Sequence, residues 1–272
     1  MRAGVDCTFY DLTASLEPDG AELERRLTPG TRALYLIHYF GFPQDVRRWR
    51  RWCDERGLLL LEDVAHGWLS GTEDGPLGAA GDLAIFSLAK AGGFPDGGIL
   101  RLAGRDAPAA RGRRRGRVVR TFRNHVKWIA SRLPFEPPVP KFLDTSSEEL
   151  LPTAWRIDEP PSRATSFLLS RLPDRTTASR RRENYERLLE GLAGAVPPGF
   201  APLPSNVVPY AFPLVTPRAA ELQKRLREKG IYARDWKQSA EGPLDVRVCE
   251  CCPTSAAVTA EGPIVAFRNR SD

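Results

Sequence analysis

The 272-residue sequence has no uninterrupted apolar run near the ~18 residues that a membrane-spanning helix needs. Its first residues, MRAGVDCTFYDL, hold no apolar stretch of the secretory type, so a cytoplasmic location is expected. Cysteine is sparse and odd in number: the five stand at positions 7, 53, 249, 251 and 252, which argues against a disulfide framework. No histidine or second cysteine pair accompanies Cys249-Glu-Cys-Cys, and no metal is expected there. Acidic residues are missing altogether between Ala107 and Phe135, where nine Arg and Lys stand. Setting those nine aside turns the net charge of +6 negative, so the basicity is local and says little about partners. Internal repeats are missing as well.

What is present reads as an ordinary globular chain, 42% hydrophobic and 27% charged, long enough for one large or two modest domains. Its first hundred residues alternate strand-like and helix-like segments. Strands are expected at Cys7 to Tyr10, Ala33 to Ile37, Leu58 to Leu61, Ala84 to Ser87 and Gly98 to Leu102. The continuous apolar run ALYLI suits a strand covered on both faces. Between the strands, Ala21 to Leu27 reads as a helix, and a second opens at Pro43 with Val46, Trp49 and Cys53 on one stripe. Short apolar strands separated by helices indicate an α/β fold with a mainly parallel sheet.

Ala103 to Arg117 is rich in Ala, Pro, Gly and Arg and reads as a basic loop; an amphipathic helix with Val119, Phe122, Val126, Ile129 and Leu133 follows. Proline-rich stretches then mark a crossing into a second, α+β part. There Ser179 to Leu192 is helical, Val207 to Val215 is a Pro-interrupted strand, and Thr216 caps a further helix closed by Gly230. Beyond about Gln238 no periodicity is evident. The expected division is 1–150 and 151–272.

In parallel α/β sheets ligands collect at the carboxyl ends of the strands. Here those ends present His38, then Asp63 with His66, then Ser87 with Lys90, followed by the turn Asp96-Gly97-Gly98. Each element alone is weak. Taken singly, Lys90 reads as a solvated lysine, Asp63 as a helix cap and the histidines as satisfied polar groups. Glu62, beside Asp63, is unremarkable.

In order along the chain, however, the motifs resemble those of the DegT/DnrJ/StrS aminotransferases. Leu61-Glu62-Asp63-Val64-Ala65-His66 resembles the family's E-D-x-A-[QH] segment. Gly81 to Lys90 (GDLAIFSLAK) with Phe94-Pro95-Asp96-Gly97-Gly98 resembles its G-D-x-x-x-F-S…K…G-G block, and Ile37-His38-Tyr39-Phe40-Gly41 a strand end. Val208 to Pro213 and Leu226 to Ile231 resemble later landmarks, so the likeness runs from about residue 4 to 236.

The resemblance implies a fold-type-I, aspartate-aminotransferase-like architecture: a partial large domain that binds pyridoxal 5′-phosphate (PLP), and a small C-terminal domain. It implies amino transfer from an amino acid such as glutamate to a keto group, often on a nucleotide-linked sugar, in a homodimer. Lys90 would form the Schiff base with PLP, Asp63 would face the pyridine nitrogen, His66 would lie beside the ring, Ser87 would reach the phosphate, and His38 would stand near ring or substrate. The sequence departs from the family where no Gly-Thr or Gly-Ser turn precedes His38 and where the end diverges. The chain is therefore expected to be truncated at its N-terminus, with part of the phosphate cup missing. Two other readings stay open: a non-catalytic relic or interaction module, and a binder of nucleic acid or membrane surfaces through Arg111 to Lys127. Neither nucleic acid nor membrane is the expected partner, because a charge run usually stays solvated.

Overall fold

A computed structural model of the chain describes residues 6–88, 90, 94, 97–104, 161–171, 174–229 and 264–265. The basic loop, the amphipathic helix behind it, the returning strand expected over Ile231 to Arg234 and the Cys249 cluster lie outside the described residues.

The N-terminal half runs β1 (Cys7–Thr8), α1 (Gly20–Arg26), β2 (Ala33–Ile37), α2 (Val46–Asp54) and β3 (Leu59–Asp63). A small antiparallel ladder, β4 (Gly71–Thr72) and β5 (Gly75–Pro76), precedes β6 (Leu83–Ser87) and β7 (Gly98–Leu102). α3 (Arg163–Leu169), α4 (Asp174–Leu192), α5 (Ala219–Glu228) and β8 (Ile264–Val265) follow. One sheet has the order β1-β8-β2-β3-β6-β7. Neighbours in it are parallel except β6 and β7, which are antiparallel. The α/β architecture is thus the expected one.

Local chemistry accounts for the element ends. Asp19 caps α1 by accepting from the Ala21 and Glu22 N–H groups. Asp45 caps α2 by accepting from Arg48 N–H at 2.9 Å, so this helix begins three residues after the expected Pro43. Val46, Trp49 and Cys53 are its buried stripe, as the spacing predicts, and Gly57 ends the segment at φ +63. β2 is buried along all but its last residue, consistent with a strand covered on both sides.

Two expectations are corrected. Val207 to Val215 forms no ladder: Pro209 and Pro213 lack the N–H a strand must donate. The segment is instead tied to the sheet end through Ser70, whose Oγ accepts from Val208 N–H at 2.9 Å, and through Gly71 N–H to the Asn206 carbonyl. The tail, read as patternless, contributes the apolar pair Ile264–Val265 between β1 and β2.

The main core joins Leu23, Leu34, Leu36, Trp49 and Leu60 to Tyr185, Phe200 and Val207. Residues on both sides of the expected boundary at 150 share it. Among the described residues, no helix is long and apolar enough to cross a membrane.

Candidate active site

Strand alternation sorts the candidate residues onto two faces. β2 and β3 pair Tyr35 with Leu61 and Ile37 with Asp63, and β3 and β6 pair Asp63 with Ile85. Side chains on a strand alternate, so Tyr35, Asp63 and Ser87 share one face. His38 and Glu62 fall on the other.

On the first face lies the group that the sequence brought forward. Asp63 is buried; its Oδ2 accepts from the Tyr35 hydroxyl at 2.8 Å and its Oδ1 from Ala65 N–H at 2.9 Å. Burial raises its pKa above the ordinary carboxylate value, against those two donors and the nearby positive charge of Lys90. Lys90 is also buried, with Nζ 3.3 Å from His66 Nε2. Burial, and then the charge of Lys90, push the His66 pKa down to about 3. A neutral ring can accept at Nε2, as an ammonium neighbour requires. Asp63, His66 and Lys90 therefore converge from the ends of β3 and β6. Ser87 closes β6, half-buried, at the same end.

His38 does not join them. Its Nδ1 accepts from Gln44 N–H at 3.1 Å, which leaves Nε2 to carry the proton toward Glu62 Oε2 at 3.0 Å. Glu62 also accepts from Gly78 N–H at 3.1 Å and from Gly81 N–H. Burial opposes its charge, but the His38 contact and the two glycine donors together hold its pKa below the usual carboxylate value. Glu62 and His38 form a fully buried pair that fixes the 78–81 turn under the sheet end. A cavity of about 460 Å³ opens on this opposite face, lined by Arg47, Arg50, Glu62, Asp74 and Leu77 among others. It does not include Lys90 or Asp63.

Other residues reach the Lys90 group without having been singled out. Tyr210 stacks on the His66 ring, with centroids 4.4 Å apart and planes 6° apart. Phe40 is parallel to the same ring at 6.2 Å. Arg181 on α4 donates from Nη2 to the Lys90 carbonyl at 3.2 Å. Tyr35 could have been found from strand parity, and Tyr210 from its place in the Val208-to-Pro213 motif. Arg181 sits within Arg180-Arg181-Arg182, where nothing local distinguishes one arginine from its neighbours.

With this geometry established, comparison with known proteins adds the following. Residues 1–100 match the DegT/DnrJ/EryC1/StrS aminotransferase family. The chain is 36% identical over 87 residues to dTDP-4-dehydro-2,3,6-trideoxy-D-glucose 4-aminotransferase of Saccharopolyspora spinosa, covering 32% of this chain and 23% of that one. It is 28% identical over 214 residues to dTDP-3-amino-3,4,6-trideoxy-alpha-D-glucose transaminase of Streptomyces venezuelae, covering 77% and 50%. Its fold is similar to the crystal structure of the aminotransferase TlmJ from Streptoalloteichus hindustanus, with a TM-score of 0.51 and 23% identity over 84% of this chain and 58% of that one. The chain thus spans about half, or less, of the length of these curated relatives. The structural likeness establishes the fold as the expected fold-type-I, aspartate-aminotransferase-like one.

Proposed function

Because residues 1–100 match the DegT/DnrJ/EryC1/StrS aminotransferase family, we propose that this chain forms a PLP-dependent site that moves an amino group from an amino acid such as glutamate to a keto group on a nucleotide-linked sugar. The observation that carries the reading is the Lys90 amine, buried, 3.3 Å from His66 and close enough to Asp63 for its charge to offset part of the burial that raises the Asp63 pKa. The two curated relatives named above are described as acting on dTDP-linked sugars, which supports the acceptor class.

The residues fit the ring end of the cofactor. Burial raises the Asp63 pKa, so a cation beside the carboxylate favours its charged form, and a protonated pyridine nitrogen is such a cation. PLP, when bound, supplies an electron sink for the bonds to the substrate Cα. Lys90 would hold the cofactor through its amine and, once free, move a proton at the substrate Cα. His66, neutral at working pH and held flat by Tyr210, would line the ring without adding charge. Ser87 would donate to the phosphate. His38 acts at one remove, by positioning Glu62 and the turn beneath the sheet. A cytoplasmic homodimer completes the proposal.

The test is the absorption spectrum of purified protein mixed with PLP, followed by borohydride reduction and mapping of the pyridoxyl label. Wild type is expected to carry the label on Lys90, and Lys90→Ala to carry none and to lose at least roughly 100- to 10,000-fold in amino transfer to a nucleotide-linked keto sugar. Sedimentation at twice the 30.2-kDa protomer mass is expected in the same preparation. Identical spectra for wild type and Lys90→Ala would sink the catalytic reading.

A further inference from the structure

Arg181 has no part in the chemistry proposed above and Tyr210 only supports His66, yet both are built into the Lys90 site. α4 brings the Arg181 guanidinium to 5.8 Å from the centre of the Tyr210 ring. Its Nη2 meets the Lys90 carbonyl at 3.2 Å. Tyr210 is itself fixed on two sides: its ring lies on His66 at 4.4 Å, and its N–H donates to the Phe40 carbonyl at 2.7 Å. Among the described residues, backbone and ring hold Arg181. Among the described residues no Asp or Glu makes an ion pair with it, whereas its neighbour Arg182 pairs with Glu186 at 3.1 Å.

Partial burial is costly for a cation, and here it lowers the guanidinium pKa. The neighbouring Tyr210 opposes that lowering without cancelling it. A guanidinium has five N–H donors in a planar fork, and the Lys90 carbonyl takes one. Such a fork, desolvated and backed by an aromatic face, is the group best suited to a carboxylate or phosphate.

We propose that Arg181, seated on Tyr210, is an oxyanion-binding residue of the Lys90 site, holding either the carboxylate of an amino-acid substrate or the phosphate of the cofactor. This rests on the reading of Lys90 as the cofactor-bearing amine.

The test uses the full chain as wild type, Arg181→Gln and Arg181→Lys, with circular dichroism to verify folding. Affinities for succinate and for inorganic phosphate are measured by calorimetry, and those for PLP and phosphate-free pyridoxal by absorption. Arg181→Gln is expected to weaken one oxyanion roughly 10- to 100-fold, and Arg181→Lys less, because an ammonium lacks the fork. A loss for phosphate and PLP with pyridoxal unchanged assigns the cofactor phosphate. A loss for succinate with PLP unchanged assigns the substrate carboxylate. Equal affinities in wild type and Arg181→Gln, or no binding of either anion by wild type, overturns the proposal and leaves Arg181 a structural tie to the Lys90 backbone. If Arg181→Gln does not fold, equal affinities in wild type and Arg181→Lys overturn it instead. Borohydride labelling of Lys90 separates the two readings. Without the label, but with oxyanion binding lost in Arg181→Gln, the catalytic reading fails and Arg181 is left an oxyanion site with no cofactor beside it. With the label, and binding indifferent to residue 181, the catalytic reading stands and this one fails.

Discussion

At the scale of one residue, Asp63 shows how burial can work against a charge. Its carboxyl is buried, and desolvation raises its pKa above the ordinary 3.8 despite two hydrogen-bond donors. A carboxyl whose folded pKa is raised gives its full stabilisation below the unfolded pKa and loses it as pH rises through the folded one. Ionisation of Asp63 is therefore a burden on the fold. Asp63→Asn can keep the Ala65 N–H as a donor and the Tyr35 hydroxyl as an acceptor, and it carries no charge. The variant is expected to raise the urea midpoint at pH 7, with the gain shrinking toward pH 4, while weakening PLP binding. A lower midpoint at both pH values would mean that the charge is already compensated. Glu62, next in the chain, has the opposite balance, because His38, Gly78 and Gly81 supply enough donors to lower its pKa. The dipeptide Glu62-Asp63 thus separates into a carboxylate whose charge the fold satisfies and one whose charge burial opposes, one on each face of the strand.

At the scale of elements, the turn after β2 is what couples the sheet end to the later chain. Phe40 and Gly41 both have positive φ, at +54 and +91. A Cβ on Gly41 would lie 2.5 Å from the Val208 carbonyl oxygen, which is backbone and cannot step aside cheaply. Gly41→Ala is expected to cost about 2 kcal/mol, combining left-handed strain with that contact, and to speed amide exchange at Val208 and Tyr210. Exchange unchanged at those two amides would show that the turn yields without releasing the 206–210 segment. Tyr210 reaches His66 only because this segment is pinned here, by Phe40 on one side and Ser70 on the other. Its two prolines make it unfit for a ladder, but they do not hinder this irregular docking.

For the whole molecule, the shared core is decisive. Tyr185 on α4 is buried, packs on Phe42 and Phe212 with ring centroids 5.6 and 4.9 Å away, and donates to the Phe200 carbonyl at 2.9 Å. The α4 side chains thus pack with the same core as Trp49. Tyr185→Ala is expected to remove roughly 3–5 kcal/mol, as for other large aromatic truncations in a core. Tryptophan fluorescence and far-ultraviolet circular dichroism should then report one coincident, down-shifted urea transition. Two separated transitions would show instead that residues before and after 150 unfold independently.

Much of this was legible in the sequence because it depends on neighbours. The run Ala33 to Ile37 has the bounds of β2, the Val46-Trp49-Cys53 stripe is the buried face of α2, and the order of motifs leads to Asp63, His66 and Lys90. Periodicity and strand ends are short-range properties, and a sequence records them directly. The tertiary structure alone decided that His38 turns away from Asp63 to serve Glu62, because that depends on which face each strand presents once paired. It alone selected Arg181 from three adjacent arginines and set Tyr210 on His66, since both contacts join positions more than ninety residues apart along the chain, or nearly a hundred and fifty. Such contacts follow from how α4 and the 206–210 segment pack on the sheet, and no local pattern encodes that packing.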